Sequence, residues 1–231
     1  MNIDSVPFEL DDRLHLSITE PFSSRAVVFN ELMDKVKNIS YERSEPIVET
    51  YKMTIAGLER ELPICTVNEK LDIAAFVIFG DAELTVAAAT ELLKICPDFD
   101  FIVSPEAKAI PLAHEMSRQS GKKYFVARKK PKLYMTGVFE AVVNSITTEG
   151  EQKLYLDTAE AEELKGKRVI IADDVISLGE SLKAVQTLLE KAGANVVANM
   201  TILAEGDAAN RTDIIYLEKL PLFKNDGTVL E

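Results

Sequence analysis

Tryptophan is absent, and aromatic residues make up only 7% of the 231 residues. So sparse a set weighs against a stacking platform for single-stranded nucleic acid. Basic residues are also short: 26 Lys and Arg stand against 38 Asp and Glu, for a net charge of −12. A nucleic-acid binder usually carries an excess of Lys and Arg in at least one region. The dense basic run Arg128-Lys129-Lys130-Pro131-Lys132 suits a small anion better than a long duplex. Two cysteines, Cys65 and Cys96, cannot build a disulfide framework and show no C-x-x-C spacing, so reduced, buried thiols are expected. His15 and His114 are far apart in sequence, and no protein metal site is assigned. The N-terminus lacks a basic-then-apolar leader pattern. The most apolar stretch, Ile73 to Gly80, is too short to cross a bilayer. The expectation is a soluble cytoplasmic protein that binds neither membrane nor nucleic acid.

What is present suits a globular domain. Hydrophobic residues make up 47% and charged residues 28%, enough for a normal core with a solvated surface. Residues 1–50 read as an N-terminal appendage, a candidate hood or dimer arm. Within it Val27 to Ile39 has helical spacing, with Ser23 and Ser24 as caps. Residues 51–231 form the main domain. The pattern predicts helices over Asp81–Lys94, Ala107–Gln119 and Ser181–Ala192. It predicts strands at Phe101–Val103, Lys123–Ala127, Lys153–Leu156, Val169–Ala172, Val196–Leu203 and Asp213–Leu217. Between Ala127 and Gln152 lies a long polar stretch with weak strand character. Strands alternating with helices indicate an α/β fold with a mostly parallel sheet. Ligands in such sheets bind beyond the carboxyl ends of the strands.

The segment with the most chemistry is Val169-Ile170-Ile171-Ala172-Asp173-Asp174-Val175-Ile176-Ser177-Leu178-Gly179-Glu180-Ser181. An apolar strand ends in two carboxylates, which can accept hydrogen bonds from a sugar cis-diol. A short loop and a helix start follow. Their main-chain N–H groups favour a phosphate, and Ser177 and Ser181 add hydroxyl donors. A diol at one end and a monophosphate at the other describe ribose 5-phosphate. A plain acidic strand–loop–helix turn would explain an isolated Asp-Asp pair, but it explains the whole pattern poorly.

This segment resembles the signature of type I phosphoribosyltransferases: apolar strand, paired acids, two apolar residues, then a loop such as Ser/Ala-Thr-Gly-Gly-Thr/Ser. Leu178 stands where Thr is frequent, and Glu180 where Gly is frequent. Pro105-Glu106-Ala107-Lys108-Ala109 resembles the Glu-Ala-Arg-Gly pyrophosphate loop of the adenine phosphoribosyltransferases, a loop that can hold a cis peptide. Arg128-Lys129-Lys130-Pro131-Lys132-Leu133 resembles the entry to the family's flexible lid. The resemblance runs from about Tyr51 to Phe223.

It implies the type I fold, with a small hood and a lid loop, and transfer of ribose 5-phosphate from phosphoribosyl pyrophosphate to a purine, adenine first. Asp173 and Asp174 would hold the diol, and the loop from Val175 and Ile176 through Ser177, Leu178, Gly179, Glu180 and Ser181 the 5-phosphate. Ala107, Lys108, Arg128, Lys129 and Lys132 would receive pyrophosphate. Glu149, with Glu151 in reserve, would handle the purine proton. Mg²⁺ would be bound mainly through the substrate, and the enzyme would be a homodimer. Leu62-Pro63-Ile64 would belong to the hood, and Val175 would pack against the base. The rival readings are a phosphoribosyltransferase for hypoxanthine, guanine, xanthine or orotate, a non-catalytic sensor of phosphoribosyl pyrophosphate or nucleotide, and an interaction subunit.

Overall fold

The computed structural model describes residues 49–144 and 151–230. The expected helix at Val27–Ile39 and the candidate Glu149 lie outside the described residues. Of the 1–50 segment, only Glu49 and Thr50 fall inside them.

The chain opens on an antiparallel meander: β1 (Thr50–Ile55), β2 (Leu58–Asn68) and β3 (Leu71–Ala74). Two short late strands, β11 (Leu222–Phe223) and β12 (Val229–Leu230), extend it in the order β1-β2-β3-β11-β12. No strand was expected here. The segment alternates charged and partly buried residues, and Pro63 argues against a strand interior. β2 nonetheless pairs with β1 on one side and β3 on the other.

A five-stranded parallel sheet follows. Its strands are β4 (Phe101–Pro105), β5 (Tyr124–Ala127), β8 (Arg168–Ile176), β9 (Asn195–Glu205) and β10 (Ile215–Leu220), in the order β10-β9-β8-β4-β5. Counted along the chain this is a 2-1-3-4-5 winding, whose order reverses between β4 and β8. Such a switch point opens a crevice at the carboxyl ends of the two strands. The result is an α/β fold, a parallel sheet flanked by helices, as the sequence pattern indicated.

Helices α1 (Ala82–Ile95), α2 (Ile110–Ser120), α3 (Thr158–Leu164) and α4 (Glu180–Lys191) complete the framework. Each has a local reason to begin or end where it does. The Asp81 side chain caps α1 by accepting from Leu84 N at 3.0 Å, and Arg60 of β2 holds that carboxylate through Nε at 2.6 Å. Gly121, left-handed at φ 70°, ends α2. The seven-residue α3 was not expected from the sequence, yet it carries a reciprocal capping box between Asp157 and Glu160.

Strand β8 is apolar on both faces because helices or strands cover both. Ile170 and Ala172 join a core with Leu84, Leu92, Leu112, Met116 and the antiparallel sheet's Ile55 and Phe223. Val169 and Ile171 join the opposite core with Leu156, Leu164, Leu182, Val185 and Leu188.

Four sequence expectations need correction. The helix expected from Ala107 starts at Ile110, because residues 107–109 form a turn. Strand β8 does not stop at the acids; it runs through them to Ile176, since β9 keeps pairing at Asp173↔Thr201 and Val175↔Leu203. The polar stretch before Gln152 carries a hairpin, β6 (Val138–Asn144) with β7 (Glu151–Asp157). Cys65 is exposed and Cys96 half-buried, not core thiols.

Candidate active site

The carboxyl ends of β4 and β8 deliver the predicted residues to one place. A cavity of about 610 Å³ is lined by Pro105, Glu106, Ala107, Lys108, Lys129, Lys153, Leu154, Asp173, Asp174, Val175 and Ser181. Beside it, a recess of about 220 Å³ is lined by Asp173, by Val175 through Ser181, and by Leu182. Asp173 borders both spaces.

Consecutive strand residues face opposite sides of a sheet. Asp173 therefore shares a side with Val169 and Ile171, and Asp174 with Ile170 and Ala172. Both acids are buried. Asp173 Oδ1 accepts from Asp174 N at 2.9 Å. Burial first, and the adjacent Asp174 carboxylate second, push the Asp173 carboxyl well above the ordinary carboxylate range. Asp174 Oδ2 is buried without a hydrogen bond of proper geometry. Lys108 Nζ stands 3.1 Å from it, as an ion pair, and half of the Lys108 side chain remains in solvent. A buried acceptor left so loosely served costs about 1–3 kcal/mol.

The loop after β8 is formed by main chain. Gly179 sits at φ 79° as the N-cap of α4, without a side-chain cap. A left-handed cap suits glycine and leaves the first amides of α4 uncommitted to side chains. Leu178, where Thr is frequent in the resembling loops, lines the rim of the recess and is 76% exposed. Glu180 occupies the first position of α4, where a carboxylate interacts well with the helix dipole.

The loop after β4 carries Glu106 and Lys108. The Glu106–Ala107 peptide is cis. Glu106 links this loop to the basic run: its Oε2 accepts from Lys129 N at 2.9 Å, and its Oε1 lies 3.3 Å from Lys132 Nζ. The Lys129 hydrogen bond, followed by the Lys132 contacts and against a cost from burial, holds the Glu106 carboxyl below its ordinary range.

Not every predicted residue lines the cavity. Lys132 approaches it only through Glu106. Arg128 is tied to β7 by reciprocal main-chain bonds with Tyr155 at 2.9 Å, and its guanidinium lies 5.5 Å from the Tyr134 ring centre. No residue of the antiparallel sheet, Leu62 to Ile64 included, is among the cavity's lining residues. Sequence reasoning missed Glu106 as a link and Lys153 as a lining residue. The signal for Lys153 was a lysine on the strand returning from the lid, which had been read only as strand.

Among the described residues, no group of three or more His, Cys, Asp or Glu is arranged to hold a metal. The two aspartates with the under-served Asp174 Oδ2 fit an Mg²⁺ that keeps most of its oxygens from substrate and water. Among the same residues, no helix is long and apolar enough to cross a membrane.

Residues 81–221 match the family model described as a phosphoribosyl transferase domain. A hypoxanthine/guanine phosphoribosyltransferase of Methanococcus voltae is 33% identical over 160 residues, covering 67% of this chain and 82% of that protein. An adenine phosphoribosyltransferase of Thermosipho africanus is 37% identical over 124 residues, covering 53% and 69%. The crystal structure of adenine phosphoribosyltransferase from Thermoanaerobacter pseudethanolicus matches with a TM-score of 0.53 at 23% identity, over 62% of this chain and 84% of that one, which shows a shared fold. With a family model matched over residues 81–221, and a relative 33% identical that spans 67% of its length, this chain belongs to the phosphoribosyl transferase domain family and has the type I phosphoribosyltransferase fold.

Proposed function

We propose that the chain transfers ribose 5-phosphate from phosphoribosyl pyrophosphate to a purine base and releases pyrophosphate. The observation that carries this reading is the buried Asp173–Asp174 pair, which stands between a recess walled by a phosphate-binding type of loop and a cavity lined by lysines. The bond from ribose C1 to the pyrophosphate oxygen breaks, with its electron pair leaving on pyrophosphate. A bond from C1 to a purine nitrogen forms, and that nitrogen gives up its proton.

Asp173 and Asp174 accept from the sugar hydroxyls and favour the positive charge that develops on the ribose. The main chain of Ser177 to Ser181 holds the 5-phosphate. Lys108 and Lys129, joined by Lys132 and Arg128 as the lid closes, stabilise the departing charge. Lys153 adds a further cation on the same cavity. Glu149 takes the purine proton, with Glu151 in reserve. Mg²⁺, when bound, neutralises pyrophosphate charge and rests mainly on substrate oxygens. Residues 1–50 serve the domain of residues 51–231 as hood or dimer arm, and the enzyme works as a cytoplasmic homodimer.

Adenine is the first base, on the resemblance of Glu106-Ala107-Lys108 to the adenine enzymes' loop. Hypoxanthine or guanine is the second reading, supported by the Methanococcus voltae relative, which covers more of the chain than the Thermosipho one.

The test incubates the full chain with Mg²⁺, phosphoribosyl pyrophosphate and, separately, adenine, hypoxanthine, guanine, xanthine and orotate. Nucleoside monophosphate and pyrophosphate are expected with a purine and not with orotate. Faster product from hypoxanthine or guanine than from adenine replaces the base and keeps the mechanism. Tight binding of phosphoribosyl pyrophosphate with no product from any base would turn the reading to a sensor.

A further inference from the structure

Arg211 is distant in sequence from the phosphate loop, yet its guanidinium lies on Gly179. A Cβ added at residue 179 would fall inside contact distance of Arg211 Nη1 and 3.4 Å from its Cζ. Asp213 takes the other two guanidinium nitrogens: Nε donates to Oδ1 at 2.9 Å and Nη2 to Oδ2 at 2.7 Å. A two-point pair fixes the guanidinium plane, and here it leaves Nη1 towards the loop. The Arg211 side chain is 31% exposed, so most of it is packed away from solvent.

The segment that carries Arg211 is itself braced. The short turn Gly206–Asn210 precedes it, and Arg211 N donates to Ala208 O at 3.1 Å. Asn199 Nδ2 of β9 donates to Asp213 O at 2.9 Å, and Gln186 Nε2 of α4 donates to Asn199 Oδ1 at 3.2 Å. The helix that begins at the loop thus supports, two turns further on, the segment that bears on the loop.

We propose that Arg211 is a positioning residue for the phosphate loop. Its guanidinium, aimed by Asp213, holds the left-handed turn at Gly179 from outside and brings positive charge to a loop that contains the Glu180 carboxylate. Gly179 has no side-chain cap of its own, so the turn relies on neighbours for its shape. Any side chain at 179 would push the guanidinium off the loop. This assignment rests on the reading of Ser177 to Ser181 as the phosphate-binding loop.

The experiment compares wild type with Arg211→Gln, Arg211→Ala and Arg211→Lys in the full chain. Calorimetry gives Kd for ribose 5-phosphate and for phosphoribosyl pyrophosphate at low and high salt, and steady-state assays give kcat and KM. Loss of the guanidinium packed against the turn is expected to raise both Kd values about 10-fold in the Gln and Ala variants. kcat is expected to stay within about twofold of wild type, because the loop holds substrate and transition state alike. Lysine, which keeps charge but not the fork, is expected to recover part of the affinity at low salt and less at high salt. Asp213→Asn, which releases the guanidinium without removing it, is expected to fall between wild type and Arg211→Gln and serves if the Arg211 variants do not fold. Wild-type Kd values in a folded Arg211→Gln overturn the assignment alone. A lysine variant no better than alanine overturns the charge role. A wild type that binds neither ligand overturns this assignment together with the functional reading beneath it.

Discussion

Strand β8 begins in one charged cluster and carries another near its carboxyl end, and the two are built on opposite rules. Arg168, its first residue, donates from Nη2 to Asp100 Oδ1 at 2.7 Å and from Nε to Asp100 Oδ2 at 3.2 Å, and it also pairs with Asp98. Every carboxylate there has its cation. Hydrogen bonds from Arg168, first from the side chain and then from the main chain, hold the Asp100 carboxyl far below its ordinary range. Towards the other end, Asp173 and Asp174 are adjacent and buried; Asp173 accepts from the Asp174 main chain, and Lys108 Nζ stands 3.1 Å from Asp174 Oδ2. Desolvation and mutual repulsion drive Asp173 the other way, to about 8. Charges that close on each other at a protein surface tie elements together. Charges left partly open in a cleft wait for a ligand. One strand shows both, and the carboxyls at its two charged places shift in opposite directions.

Substituting the acids gives the largest contrast. Asp174→Asn and Asp173→Asn are each expected to lower kcat/KM by about 100-fold or more while leaving the protein folded. Steady-state kinetics with thermal melting reads both quantities. A variant with unchanged kinetics removes that residue from the diol site.

The pH dependence comes next. A carboxyl raised on folding binds its proton more tightly in the native state than in the unfolded chain. Its contribution to stability is full below the ordinary carboxylate pKa and is lost as pH rises towards about 8. Asp173→Asn cannot lose a proton, so the ligand-free variant is expected to gain on wild type across that window, by about 1–3 kcal/mol at the top. Denaturant melts of both proteins from pH 5 to pH 9 measure the gap. A gap that narrows with rising pH contradicts the raised Asp173.

The smallest effect belongs to the other end of the strand. Arg168→Ala is expected to lower the melting temperature slightly, less so in high salt, with kcat and KM unchanged. Asp100 is depressed on folding, so its share of stability is present above the ordinary carboxylate pKa and disappears on acidification. A kinetic defect in Arg168→Ala breaks the division between the two ends.

Much of this site could be read from the chain because its parts are local. The apolar run, the acid pair, the Gly-bearing loop and the helix start occupy thirteen consecutive residues. The helices α1 and α4 were found within a residue or two, since their apolar spacing matches the faces they bury. What stayed hidden depends on distant partners. The antiparallel sheet joins residues 50–74 to residues 222–230, and its strands alternate too many charges to announce themselves. Arg211 meets Gly179 across the fold, and no spacing rule encodes that contact. Glu106 could be read as part of a loop, but its tie to Lys129 and Lys132 spans more than twenty residues and is made only by the fold.

Strand β8 runs past its acids to Ile176, with ladder bonds to β9 on to Ala204. The Asp173 and Asp174 backbones are therefore as immobile as the sheet. In dielectric terms the places of these two groups are set during folding, and nothing in the strand has to move to present them. The nearby cations Lys108 and Lys129 sit on long side chains outside the sheet. Any adjustment of charge around the acid pair therefore falls to those side chains and not to the strand.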